Sequence, residues 1–340
     1  MKHTKLAFTL MSALCLTACD ESSQDKEEVQ VTSRTNNLII QESLSLGNDE
    51  CFFGGLKITS GLDSNSDNTL ADSEITTTSI DCNVNPITSS GSSLPYSVMR
   101  SDIENGAIPG NLMEIRNGGF GSDMVAHPTD PTQFYALTDR GPNATFTGDQ
   151  GKGKKFPTPD YTPRIGLFEL QENGDVKKIK DILLKRPDGT DISGLPNTAA
   201  LGGTGETPYD ADGNVIVEDM NLAFDETTNP IKLDDYGLDG EGLVALTDGT
   251  FWVSDEYGPH MVHFNAQGIE IGRINAFADD TRNTLTLPAE FANRRANRGM
   301  EGLTITPDET TLVGIMQSTM YNPSSAVKVN NIVRIVTVNL

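Results

Sequence analysis

The sequence predicts an all-β chain with a β-propeller-like main domain and a small disulfide-closed module on its N-terminal side. Three observations carry that reading. Turn formers are abundant, with Gly 32 and Pro 17 in 340 residues, and few stretches keep a long helical period. From about Tyr96 onward, short apolar runs alternate with Gly, Pro, Asp and Asn, as at residues 133–137, 165–170, 249–253 and 331–338. One unit also recurs. Glu241-Gly242-Leu243-Val244-Ala245-Leu246-Thr247-Asp248 returns as Glu301-Gly302-Leu303-Thr304-Ile305-Thr306-Pro307-Asp308, with a fainter copy at residues 122–128. A polar turn and a second strand follow each copy, at residues 251–254, 311–316 and 134–138. Acidic residue, strand, tight turn and strand, repeated, is the sequence mark of a propeller. The copies keep no strict period, so blades cannot be counted. The strand-like run ending at Leu340 predicts either a truncated C-terminus or a ring closed by an earlier strand.

Taken in order, residues 1–18 read as a lipoprotein signal peptide. Lys2 and Lys5 precede an apolar run from Leu6 to Leu16, too short to span a bilayer, and Leu16-Thr17-Ala18-Cys19 resembles a lipobox. Cys19 is the expected lipidation site, with the membrane reached through that anchor only. An ordinary signal peptide with a chance cysteine is the alternative. The expected location is the cell membrane, facing the periplasm or the exterior, and Asp20 resembles an inner-membrane retention signal. Residues 19–46 are polar and acidic and read as a flexible tether. Residues 47–84 form the small module, 85–95 a Ser/Gly linker, and 96–340 the propeller domain. Cys51 and Cys82 are the pair left for a disulfide in an oxidising compartment.

Between those cysteines, Asp63-Ser64-Asn65-Ser66-Asp67-Asn68-Thr69-Leu70-Ala71-Asp72-Ser73-Glu74 has the spacing of an EF-hand calcium loop. Asp63, Asn65 and Asp67 stand at positions 1, 3 and 5, Thr69 offers a carbonyl at 7, and Glu74 at 12 can bind through both oxygens. Asn68 replaces the usual glycine, and Asn is the next-best residue for the left-handed backbone needed there. The flanking residues do not read as helices. A polar loop that happens to be acidic is the plainer alternative.

The formal charge is −23, from 48 acidic and 25 basic residues. Such a chain repels nucleic acid and welcomes divalent cations. It has no Gly-x-Ser-x-Gly elbow and no Arg-His-Gly segment, which argues against an α/β-hydrolase esterase and a histidine acid phosphatase. Gly202-Gly203-Thr204-Gly205-Glu206 lacks the lysine of a phosphate-binding P-loop and reads as a loop. His260 and His263 would point to opposite faces of a strand, and His260, next to Pro259, reads as a surface residue, with a role near the site as the alternative. Trp252 reads as packing between blades.

Five motifs occur in order: Gly118-Gly119-Phe120-Gly121-Ser122-Asp123, Leu137-Thr138-Asp139-Arg140-Gly141-Pro142-Asn143, Asp239-Gly240-Glu241-Gly242-Leu243, Val253-Ser254-Asp255-Glu256-Tyr257-Gly258-Pro259 and Asn297-Arg298-Gly299-Met300-Glu301-Gly302-Leu303. Together they resemble the phytase-like domain of the "esterase-like activity of phytase" family, from about residue 113 to the end. The resemblance implies a secreted, propeller-like phosphoesterase.

The residues themselves agree with it. Asp123, Glu241 and Glu301 open equivalent hairpins, and Asp139 and Asp255 close two of them. Equivalent positions on successive blades converge on a propeller's central channel, where five carboxylates repel one another unless a cation lies among them. Each acid capping its own turn is the alternative. Asp123, Glu241 and Glu301 are therefore expected as ligands of Ca²⁺, with Asp139 and Asp255 as further ligands or the base. Arg140, Arg298 and Lys155 are the expected contacts of a small phosphorylated substrate. Two other readings stand beside this calcium-dependent phosphoester hydrolase: a non-enzymatic propeller binding a surface glycan or protein, and a lactonase-type metal propeller.

Overall fold

The computed structural model describes residues 30–34, 37–84, 93–104 and 110–340. The signal peptide, Cys19 and most of the 85–95 linker lie outside them. Among the described residues the chain is all-β apart from three short 3-10 turns, and no helix is long and apolar enough to cross a membrane. The described residues divide into two units, those from 30–44 and 55–82, and those from 45–54 and 83–340.

The first unit carries an antiparallel sheet in the order β1 (Gln30–Arg34), β2 (Asn37–Leu46), β3 (Phe53–Leu62) and β4 (Ile75–Cys82). The expectation of a flexible tether over 19–46 is corrected for 30–34 and 37–46, which are strands, and its first part, 19–29, lies outside the described residues. Leu38 and Leu44 of β2 are buried while polar neighbours face out. An even spacing puts those two leucines on one face of a strand that also carries Ile39, Ile40 and Leu46. Cys51 and Cys82 form a disulfide, as expected.

The loop at 63–74 joins β3 to β4, so strands and not helices flank it. Its acids fold inward. Asp63 accepts the amides of Asp67 and Asn68 at 3.1 and 2.9 Å, and Glu74 accepts those of Ser64 and Ala71 at 2.9 and 3.0 Å. Asn68 has φ 63°, the left-handed conformation its position requires.

The second unit is propeller-like. Ahead of its larger sheets, β5 (Val98–Glu104) pairs with β6 (Leu112–Arg116). Three sheets then repeat one plan, with each strand antiparallel to the one before it and the innermost strand first. The first is β7 (Asp123–Ala126), β8 (Gln133–Leu137), β11 (Arg164–Leu170) and β12 (Val176–Leu183). The hairpin β9 (Ala144–Gly148) and β10 (Gly151–Lys155) is inserted between β8 and β11, and it pairs with β13 (Thr207–Tyr209). The second sheet is β14 (Gly240–Ala245), β15 (Phe251–Asp255), β16 (Met261–Phe264) and β17 (Glu270–Asn275), with β18 (Asn283–Thr286) added in parallel. The third is β19 (Met300–Ile305), β20 (Thr311–Met316) and β21 (Ile335–Asn339). The three recurring hairpins of the sequence are therefore the inner pairs β7–β8, β14–β15 and β19–β20. β14 lies against β7 on one side and β19 on the other.

The core fills the spaces between these sheets. Leu137, Ile165, Leu243, Val253, Val262 and Phe264 pack between the first and second. Trp252, Met261, Met300, Leu303 and Leu312 pack between the second and third, so Trp252 has its expected role. Each such side chain contributes about 1.5–3 kcal/mol by leaving water. Those layers hold the inner strands rigidly, and the acids stand at the ends of those strands.

Candidate metal centre

The centre is built from two β-bulges. Pairing of β14 with β15 passes from Gly240↔Asp255 to Gly242↔Ser254, which leaves Glu241 as an extra residue. Pairing of β19 with β20 passes from Met300↔Met316 to Gly302↔Ile315, which leaves Glu301 extra in the same way. A bulge re-aims one side chain without moving the rest of the strand. The glycine after each glutamate is needed for the close approach. A Cβ on Gly242 would fall 2.4 Å from Ser254 Oγ and 2.7 Å from Leu303 Cβ, and one on Gly302 2.5 Å from Ile315 Cγ2.

Glu241 meets Asp139, which follows β8, and Asp239, which precedes β14. One ligand oxygen from each of Asp139, Asp239 and Glu241 lies within 4.8 Å of the others. Asp239 is buried, with 2% exposed, and its carboxyl is hydrogen-bonded to that of Asp139. Glu256 and Glu301 form a second hydrogen-bonded carboxyl pair, close enough to Glu241 for each to feel its charge. All of this lifts proton affinities. Burial, and then the charges of Asp139, Glu301 and Asp255, push Glu241 up to about 8. Burial and the Glu301 hydrogen bond push Glu256 up to about 9. Asp239 is raised well above its ordinary range by burial and by its bond to Asp139.

Arg140 is the positive charge built into this cluster. Its Nη1 lies 3.2 Å from Glu206, 3.3 Å from Asp239 and 3.2 Å from the Tyr257 hydroxyl. Burial works against its charge, but Tyr257, Asp239 and Glu206 outweigh that and hold it protonated. Arg140, with the buried Arg294 acting on Glu256, does not neutralise Asp139, Asp239, Glu241, Glu256 and Glu301 together. Clustered hard oxygens with excess negative charge are the donor set that suits Ca²⁺.

Several expected site residues serve elsewhere. Asp123 lacks the bulge, since it pairs directly with Leu137. Its carboxylate accepts the amides of Met124 at 2.7 Å and Leu243 at 2.6 Å, which ties β7 to β14. Asp255 is fully buried and accepts the amides of Tyr257, Gly258 and His260, so it shapes a turn and is no free base. Arg140 is locked in the interior instead of reaching for substrate. Lys155 is on β10, where its Nζ donates to the Ala211 carbonyl at 2.8 Å and lies over Phe146. Arg298 is exposed and bonds Gln317 Oε1 at 3.1 Å, and Gln317 in turn bonds Glu301, so Arg298 does stand beside the carboxylates. His260 is buried rather than on the surface. Its Nε2 lies 3.1 Å from Asn197 Oδ1, and burial and then Arg273 hold its proton affinity well below the usual histidine range.

Asp239, Glu206 and Glu256 were not among the expected site residues. Asp239 stands two residues before Glu241, the spacing that shares one face of an extended segment. Glu256 follows Asp255 in a quoted motif. Glu206 comes from the glycine-rich loop, and nothing in its sequence context points to Arg140.

A family model for a phytase-like domain, described as esterase-like activity of phytase, matches residues 115–340. The chain belongs to the phytase-like family. A second model, a domain of unknown function (DUF7151), matches residues 36–82, the sheet that holds the acidic loop. An uncharacterized secreted protein of Arthroderma benhamiae is 29% identical over 261 residues, covering 64% of this chain and 48% of that protein. The chain thus spans about half the length of that relative. A solved luciferin-regenerating enzyme aligns over 91% of this chain and 76% of its own, at 12% identity and a TM-score of 0.24. The carboxylate centre lies wholly inside the phytase-like domain.

Proposed function

We propose that the phytase-like domain is a calcium-dependent phosphoesterase acting on small phosphorylated substrates outside the cytoplasm. The observation that carries this is the convergence of Asp139, Asp239 and Glu241 around the single ion pair that Arg140 makes with Asp239 among the described residues. A divalent cation held by that triad supplies charge to polarise a phosphoryl group and its attacking water. The chain's own residues do the remainder. Burial and the neighbouring Glu301 hold Glu256 protonated at neutral pH, so its carboxyl is the candidate general acid for a departing oxygen. Arg140 keeps Asp239 in place, and Arg298 offers an exposed cation to an incoming anion.

Export fits the signal-peptide reading of residues 1–18 and the secreted description of the Arthroderma relative. Lipid attachment at Cys19 and a calcium role for residues 63–74 are further parts of the proposal, the latter supported by the inward-turned Asp63 and Glu74.

The test is turnover of a generic phosphate monoester and of a lactone, with calcium or chelator. Calcium-dependent hydrolysis of the phosphate ester, lost in Glu241→Gln, supports the proposal. Turnover of the lactone alone would assign the centre to lactonase chemistry, and turnover of neither would sink the enzymatic reading.

A further inference from the structure

Beside the carboxylate triad is a cavity of about 320 Å³ whose walls include Arg116, Gly119, Asp139, Gly141, Asn143 and Tyr161. Asp139 belongs to both cavity and triad, so a molecule seated in the cavity touches a residue of the centre. One wall is tightly built. Gly141 has φ +101°, and a Cβ there would fall 2.5 Å from the Tyr161 ring, so only glycine brings the turn after β8 this close. Tyr161 is itself buried, with the Arg164 guanidinium 5.0 Å from its ring centre. Arg116 ends β6. Its Nε and Nη2 bond Glu114 at 2.9 and 2.7 Å and it lies over the Tyr96 ring, yet half of its side chain stays exposed. Those contacts orient the guanidinium and leave Nη1 outside both bonds.

We propose that this cavity is the subsite for an anionic group of the ligand, phosphate in the simplest case, with Arg116 as its counter-charge. The inference rests on the metal-centre reading. Asp139 alone would repel an anion. With a cation on the triad, the approaching group meets positive charge from the centre and from Arg116. The volume is at the lower end for ligand pockets, about 300–1,000 Å³, which suits one compact group. Gly119 supplies a steric test. A Cβ there meets nothing within 4 Å, so a leucine grows into open space instead of into the core.

The experiment is calorimetric titration of the intact chain with calcium and then inorganic phosphate. A Glu74→Gln background keeps the 63–74 loop from contributing. The expected result is calcium-dependent phosphate binding that weakens about tenfold in Arg116→Gln and disappears in Gly119→Leu, while both variants bind calcium as the parent does. Calcium binding with no phosphate binding, or with phosphate binding unchanged in both variants, overturns the subsite. If the parent itself binds no calcium in that background, the metal-centre reading has failed, and the calcium titration alone reveals it.

Discussion

Glu241 and Glu256 carry the sharpest consequences at the scale of single residues. Both have folded-state proton affinities raised above the ordinary glutamate value of 4.5, to about 8 and about 9. A group raised in this way stabilises the fold fully below about pH 4.5, and that contribution is lost as pH rises through 8–9. Chelator-treated protein should therefore melt at a lower temperature at pH 9 than at pH 6. Calcium should raise the melting temperature more at pH 9, where it finds the carboxylates ionised. A calcium effect independent of pH would contradict the centre. Arg140 gives a second test. Arg140→Met leaves Asp239 buried without its cation, and removing one partner of a buried pair costs about 3–5 kcal/mol. Chemical denaturation should show that loss, and saturating calcium should recover part of it.

Much of the centre was legible at this scale because an acid in a recurring frame stands out. Glu241 and Glu301 each precede Gly-Leu, and Asp139 follows a strand end. Asp123 shares the frame and not the role, because what separates it from the glutamates is a bulge, and a bulge is a property of pairing with the next strand. Asp255 and His260 misled for another reason. His260 is held by Asn197, 63 residues away, and Asp255 by the amides of a turn whose burial no local pattern announces.

At the scale of elements, the contact of β14 with β19 depends on small residues. Gly242→Val would push against Ser254 and Leu303, and overpacking of that kind costs about 1–3 kcal/mol. Gly119→Ala is the control, since its Cβ meets nothing within 4 Å. The expected outcome is a clearly lower melting temperature for Gly242→Val and an unchanged one for Gly119→Ala. The three hairpins themselves were readable from alternation and turn residues. β2 was not, because its apolar residues, Leu38, Ile39, Ile40, Leu44 and Leu46, keep no clean alternation, and the polar residues around them set the reading.

At the scale of the whole molecule, the described residues hold two candidate calcium positions, one in each unit: the 63–74 loop and the carboxylate triad. Titration of the intact chain should therefore resolve two classes of bound calcium. Glu74→Gln should remove one and Glu241→Gln the other, each leaving its counterpart unaltered. Loss of both on either substitution would show that they do not act separately. Fold class was predictable at this scale, since repeated strand–turn–strand units need neighbours to bury their faces. The order of strands within sheets was not, and β13 pairing with an inserted hairpin has no local signal.

The bulges at Glu241 and Glu301 have a consequence for how such a domain can change over time. In a regular strand the inward and outward positions are locked to one another, so inserting a residue turns the whole strand over. Here the extra residue is absorbed where it stands, and Leu243 and Leu303 beyond it keep their places in the core. The acid can be exchanged, and the chemistry with it, while the hydrophobic interior is inherited untouched.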